Sequence, residues 1–117
     1  MLQGKTCIVV GGAKGTGSHL VEQYAKKGYT VAFMDIDKES SCSLKDKVET
    51  EYGGNIFFFH GDANSEEDIE LFAGAIIGQY KKIDCLYYRT DIAESANLIA
   101  ELLYGYLKRD GMIMSYS

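Results

Sequence analysis

Five short apolar runs, separated by segments of helical periodicity, restrict this 117-residue chain to very few folds. The runs are Thr6–Val10, Thr30–Met34, Ile56–Phe59, Ile83–Tyr88 and Met112–Tyr116. Continuous apolar runs of this length read as strands buried on both faces. The segments between them carry helical stripes. Ser18–Lys27 places Leu20, Val21, Tyr24 and Ala25 on one face, with Gly28 as its cap. Lys38–Tyr52 repeats Leu44, Val48 and Tyr52 at four-residue spacing, and Gly53-Gly54-Asn55 breaks it. Ser65-Glu66-Glu67-Asp68 is an acidic helix start that suits the macrodipole. It leads into a stripe of Ile69, Phe72, Ala73, Ile76, Ile77 and Tyr80. A fourth helix is predicted over Ala93–Arg109, with Leu98, Ile99, Leu102, Leu103, Tyr106 and Leu107 inward. Such alternation implies right-handed crossovers and a parallel sheet with helices on both faces. The expectation is one α/β domain over residues 1–117: five strands in the order 3-2-1-4-5, about four helices, three layers.

The connection after the first strand narrows this to a Rossmann-like, doubly wound sheet with a ligand edge. Val9-Val10-Gly11-Gly12-Ala13-Lys14-Gly15-Thr16-Gly17 runs from a β-branched strand through a glycine-rich turn into a helix. Glycine has no Cβ and tolerates positive φ, so the backbone N–H groups of such a turn approach a pyrophosphate closely. The helix start adds about half a positive charge beneath the anion. A dinucleotide is the expected ligand, held by Gly11, Ala13, Lys14, Gly15, Thr16 and Gly17. The second strand ends in Asp35-Ile36-Asp37, and Asp35 lies 24 residues after Gly11, where a carboxylate accepts from the adenosine ribose hydroxyls.

Composition removes other classes. A net charge of −5 argues against a nucleic-acid partner, whose binding needs phosphate neutralisation. The longest apolar runs fall far short of a membrane span. Cys7, Cys42 and Cys85 show no metal or redox spacing, and Cys7 and Cys85 fall inside strands as small apolar side chains. An odd cysteine count without a signal peptide points to a reducing cytoplasm. His19 and His60 are far apart, no cluster has metal-ligand spacing, and both histidines read as solvent-facing or structural.

The same residues resemble the short-chain dehydrogenases/reductases. That family carries T-G-x-x-x-G-x-G after its first strand, and Val10–Gly17 matches all three glycines, with Val10 in place of the threonine. Asp35-Ile36-Asp37 resembles the family's NAD-selecting acidic position, and Gly61-Asp62-Ala63 its adenine-contacting aspartate–hydrophobic pair. Asp62 has a second reading, as organiser of the turn into the third helix. Ile83-Asp84-Cys85-Leu86 is similar to L-D-x-L, and Gly111–Ser115 to G-x-I-V-N. A basic residue at Lys14 favours the 2′-phosphate of NADP in the family, whereas Asp35 repels that phosphate; NAD is expected over NADP.

Departures from the family pattern are informative. Tyr88-Arg89-Thr90-Asp91 replaces N-N-A-G, and the catalytic serine, tyrosine and lysine that the resemblance implies would follow beyond Ser117. Tyr104 and Lys108 satisfy Y-x-x-x-K but precede the fifth strand, so no residue is assigned a catalytic role. The resemblance thus implies an NAD-binding domain that is not a competent oxidoreductase alone. Two alternatives stand beside it: an oxidoreductase completed by a partner subunit, and a ligand-free interaction protein on the same fold. A homodimer is expected through the fourth helix or the edge of the fifth strand, whose Met112-Ile113-Met114 is apolar.

Overall fold

The computed structural model describes residues 5–11, 15–53, 55–80, 82–89 and 93–116, with backbone only at 93–96, 108–110 and 115. In chain order the elements are β1 (Thr6–Val10), α1 (Gly15–Lys26), β2 (Thr30–Asp35), α2 (Lys38–Tyr52) and β3 (Ile56–His60). They continue as α3 (Glu66–Gln79), β4 (Ile83–Arg89), α4 (Ala93–Leu103), a 3₁₀ turn (Tyr104–Tyr106) and β5 (Leu107–Tyr116). The strands form one parallel sheet in the order β3-β2-β1-β4-β5, as the alternation predicts.

Strand periodicity explains the three layers. Successive side chains of β1 point to opposite faces. Ile8 and Val10 join Ala32, Met34 and Leu86 under α3 and α4, where Ile69, Phe72, Ile76, Ile99 and Leu103 cover them. Cys7 and Val9 join Val31, Phe33, Cys85 and Tyr87 on the other face, under Val21 and Tyr24 of α1 and Leu44 and Val48 of α2. β1 is buried at every position, as the middle strand of a sheet covered on both sides must be. Asp84 fixes its start, accepting from the Thr6 N–H at 2.8 Å.

Helix ends follow local chemistry. Asp37 caps α2, its carboxylate accepting from the Ser40 N–H at 3.0 Å. Ser65 caps α3, accepting from the Asp68 N–H at 3.3 Å.

Several boundaries and three burial expectations change. The first helix starts at Gly15, not Ser18, and stops at Lys26. Its first turn, in which Ser18 Oγ donates to the Gly15 carbonyl at 2.8 Å, precedes the apolar stripe and so carries no periodicity. β2 and β3 each run one residue further because Asp35 pairs with His60. The fourth helix ends at Leu103, not Arg109. Leu107 instead pairs with Ile83, and the gain of a sheet partner outweighs the helical pattern that Tyr106 and Leu107 continue. Both residues still pack against the α3–α4 core. A bulge follows, since Cys85 already pairs with Met112. Tyr52, Ile77 and Leu102 lie at the outer rims of their stripes and are exposed.

Candidate functional site

A parallel sheet gathers the carboxyl ends of all its strands at one edge. The crossover from β1 leads through α1 to β2 on one side, whereas β4 on its other side is reached from β3 through α3, and the crevice at such a switch point is where ligands of these folds bind. Along this edge, from one side to the other, stand Gly61–Asn64 after β3, Asp35 and Ile36 after β2, Gly11 after β1, Arg89 at the end of β4 and Tyr116 at the end of β5. Gly11, Met34, Asp35, Ile36, Gly61, Asp62, Ala63, Asn64 and Arg89 line one cleft of about 210 Å³.

Backbone bonds hold its floor. The Gly11 N–H donates to the Met34 carbonyl at 2.7 Å, and the Gly61 N–H to the Asp35 carbonyl at 3.1 Å, which carries the sheet pairing past the strand ends. Asp35 Oδ1 accepts from the Asp37 N–H at 2.8 Å, so the carboxylate is fixed by its own turn. Asp62 Oδ1 accepts from the Asn64 N–H at 2.9 Å, while the Asp62 N–H donates to Asp68 Oδ2 at 2.8 Å. Asp62 therefore organises the turn into α3, whose cap is Ser65, and a carboxylate keeps acceptor capacity beyond one such bond. His60 Nε2 lies 3.0 Å from the Ile36 carbonyl, leaving the Ile36 side chain 64% exposed at the rim.

The cleft is kept open by residues without side chains. A Cβ on Gly61 would come within 3.0 Å of Phe59 and 3.2 Å of the Met34 sulfur. Gly11 has φ +87°, and a Cβ there would meet Arg89 Nε at 3.1 Å and Tyr116 Oη at 3.2 Å. Tyr116 Oη lies 2.9 Å from the Val10 carbonyl and 2.7 Å from that of Gly11, so its one hydrogen is shared between them. β4 and β5 thus reach across onto the first turn of the loop.

Of the residues expected from sequence, Gly11, Asp35, Ile36, Asp62 and Ala63 meet in this cleft. Gly15, Thr16 and Gly17 form the first turn of α1, with Gly15 and Thr16 exposed and Gly17 buried. Ala13 and Lys14 lie outside the described residues. Met34, Asn64 and Tyr116 had no place in the sequence reading of the site; each is recruited by register, which one chain segment does not display. Tyr104 lies in the 3₁₀ turn, 78% exposed, and Lys108 in β5, so the two do not share a helical face. Among the described residues no group of His, Cys, Asp and Glu could hold a metal ion, and no helix is long and apolar enough to cross a membrane.

A second cluster of titratable groups lies deep under α1. Cys7 pairs with Cys85 across β1 and β4, and the Tyr24 and Tyr87 hydroxyls meet at 2.6 Å. A hydrogen bond from Cys7 brings the Cys85 thiol down to about 7 against the opposing effect of burial. Burial, then the bond to Cys85, pushes the Cys7 thiol well up, and burial with the Tyr87 contact raises the Tyr24 phenol.

Comparison with known proteins agrees with this geometry. The family model described as short chain dehydrogenase matches residues 5–102. The cis-2,3-dihydrobiphenyl-2,3-diol dehydrogenase of Paraburkholderia xenovorans is 31% identical over 101 residues, covering 86% of this chain and 35% of the relative. A 7α-hydroxysteroid dehydrogenase solved with NADH and 7-oxo glycochenodeoxycholic acid superposes with a TM-score of 0.87 at 20% identity, covering 99% of this chain and 54% of that one. An alcohol dehydrogenase from Thermococcus sibiricus, solved with 5-hydroxy-NADP, gives 0.85 at 16% identity over 95% of this chain and 57% of that one. The chain spans about a third of the length of the curated relatives it matches.

Proposed function

The chain belongs to the short-chain dehydrogenase family, and on that premise we propose that its 117 residues bind NAD(H) without completing hydride transfer alone. The observation that carries the first half is the single cleft uniting Gly11, Asp35, Ile36, Asp62 and Ala63 at the switch point of the sheet. The residues fit an adenosine half. Asp35, at the end of β2, accepts from ribose hydroxyls; Asp62 accepts from the adenine amino group; Ala63 and Ile36 flank the base; and the turn through Ala13, Lys14, Gly15, Thr16 and Gly17 faces the phosphates. Bound NAD(H) supplies or receives the hydride, but a protein group must orient the substrate and move its proton. The separation of Tyr104 from Lys108 between two elements argues against that pair in this role.

Asp35 favours NAD over NADP because a carboxylate beside the 2′ position repels a phosphate and bonds a hydroxyl. The exposed, apolar Met112, Ile113 and Met114 at the β5 edge favour a homodimer through that edge or α4. Three free thiols, at Cys7, Cys42 and Cys85, fit a reducing cytoplasm. Titration calorimetry with NAD and NADP tests the reading: NAD binds and NADP binds more weakly. Absence of heat with both at millimolar concentration would remove it.

A further inference from the structure

Cys7 and Cys85 are far apart in sequence, and the sheet makes them neighbours. They are register partners on β1 and β4, and both belong to the core beneath α1. Neighbouring strands lie about 4.8 Å apart, and a disulfide joins Cα atoms about 4.4–6.8 Å apart, so the backbone holds the two residues at bridging distance. Their sulfurs are in hydrogen-bond contact, the Cys7 thiol donating to Cys85. The Tyr24 hydroxyl is a second donor to Cys85, and it meets the Tyr87 hydroxyl at 2.6 Å. Neither sulfur lines the cleft at the carboxyl edge.

The two thiols are not equivalent. Burial pushes the Cys7 thiol well up, so it stays protonated. The bond from Cys7 brings the Cys85 thiol down to about 7, against burial, and the thiolate is the nucleophilic form of sulfur. Exposure divides the pair in the same sense. α1 packs chiefly on β1 and β2, with Cys7 fully buried under it. Cys85 is 4% exposed, and its partner on the outer strand β5 is Met112, which is 44% exposed. The way in past Met112 suits a small uncharged solute.

We propose that Cys7 and Cys85 form a reversible redox site, in which Cys85 reacts first with a small peroxide and Cys7 resolves it to a disulfide tying β1 to β4. In the first step the Cys85 thiolate attacks one peroxide oxygen. An S–O bond forms, the O–O bond breaks, and hydroxide leaves and takes a proton from solvent. The product is a sulfenic acid. Cys7 then attacks that sulfur: the S–S bond forms, the S–O bond breaks, and the Cys7 proton leaves with the hydroxyl as water. The two sulfurs together lose two electrons, and hydrogen peroxide is reduced to two waters. A dithiol reductant reverses the change by thiol–disulfide exchange. Tyr24 is a positioning residue here, holding Cys85 as acceptor. The inference is independent of nucleotide binding.

The test uses the full chain with Cys42→Ser, which removes the exposed thiol on α2 and leaves the core intact. Hydrogen peroxide is added to the folded protein, followed by intact mass, thiol titration and peptide mapping. The expected result is loss of two hydrogens, with the Cys7 and Cys85 peptides joined and released again by dithiothreitol. The rate should rise with pH through a midpoint near 7. Oxidation of Met112 adds an oxygen instead and is distinguished by mass. Adding Cys7→Ser should stop the reaction at a Cys85 sulfenic acid that dimedone traps. With Cys85→Ser instead, Cys7 should react about tenfold more slowly than Cys85 does. Circular dichroism confirms that each variant is folded. Two free thiols persisting in the folded Cys42→Ser chain, or a disulfide that joins two chains, overturns the inference. So does a bridge that forms only in denaturant, or equal reactivity of Cys7 and Cys85 in the single-thiol variants.

Discussion

The two sides of the sheet edge have been treated differently. On the β3-β2-β1 side the strand ends carry Gly11, Asp35 and Asp62, the family's pattern for the adenosine half, around a cleft with a glycine floor. On the β4-β5 side the strand ends carry Arg89 and Tyr116, the helix before β5 is cut short at Leu103, and β5 presents Met112, Ile113 and Met114 half-exposed. The first side gathers small and acidic residues in one cleft over a closed core. The second shares that core but presents bulky side chains and a half-exposed apolar edge. The two sides share one core but expose different chemistry, and each answers to a different perturbation.

The largest effect belongs to the shared core. Phe72 on α3 is fully buried beneath the β1–β2 side, and Phe72→Ala is expected to destabilise the fold by about 3–5 kcal/mol in chemical denaturation. Leu102→Ala, on the exposed rim of α4, should cost no more than about 0.5 kcal/mol. Equal losses would mean that the outer rim of α4 is packed like the core beneath it. Next comes Asp35→Ala, which removes the ribose acceptor. It should weaken NAD by about 1.5–3 kcal/mol, roughly 10- to 100-fold, and narrow the preference over NADP, while the freed Asp37 N–H costs about 1 kcal/mol of stability.

The third prediction concerns the Cys7–Cys85 contact, where β1 meets β4. Cys85 is held at about 7, below its ordinary 9.0, because Cys7 donates to it. A group depressed in the folded state contributes stability in full above the unfolded value and loses it as pH falls through the folded one. In a Cys42→Ser background, thiolate absorbance should titrate near pH 7, and the unfolding midpoint should rise from pH 6.5 to pH 8.5. Cys7→Ser weakens the donor, and Cys85→Ser abolishes the dependence. A thiolate signal appearing only near pH 9 would show that the two sulfurs are not in contact. The smallest effect on stability is at the β5 edge. Ile113→Lys should change the unfolding free energy by less than about 0.5 kcal/mol yet shift sedimentation from dimer to monomer.

Much of the fold was legible because its signals are local. The uniform apolar runs of β1 and β2 and the stripe from Ile69 to Ile76 each display their period within a few residues. The end of α4 was not legible, since Tyr106 and Leu107 continue the helical stripe and only the pairing with Ile83 withdraws them. The site divided in the same way. Asp35 and Asp62 sit at fixed offsets from glycine turns, so spacing reveals them. Arg89 was visible as a bulky departure, but its contact with Gly11 depends on how β4 docks on β1, and Tyr116 depends on β5 as well. No short window of sequence contains those relationships.

The Tyr116 hydroxyl spans sequence separations of 106 and 105 residues to reach Val10 and Gly11. On a ribosome a chain emerges from its amino end, so the glycine turn is made before its brace. Until β5 has docked, that turn lacks the hydroxyl that ties down its two carbonyls. Bracing of the turn is thereby coupled to completion of this sheet: a chain in which β5 has not docked holds Val10 and Gly11 without the Tyr116 hydroxyl.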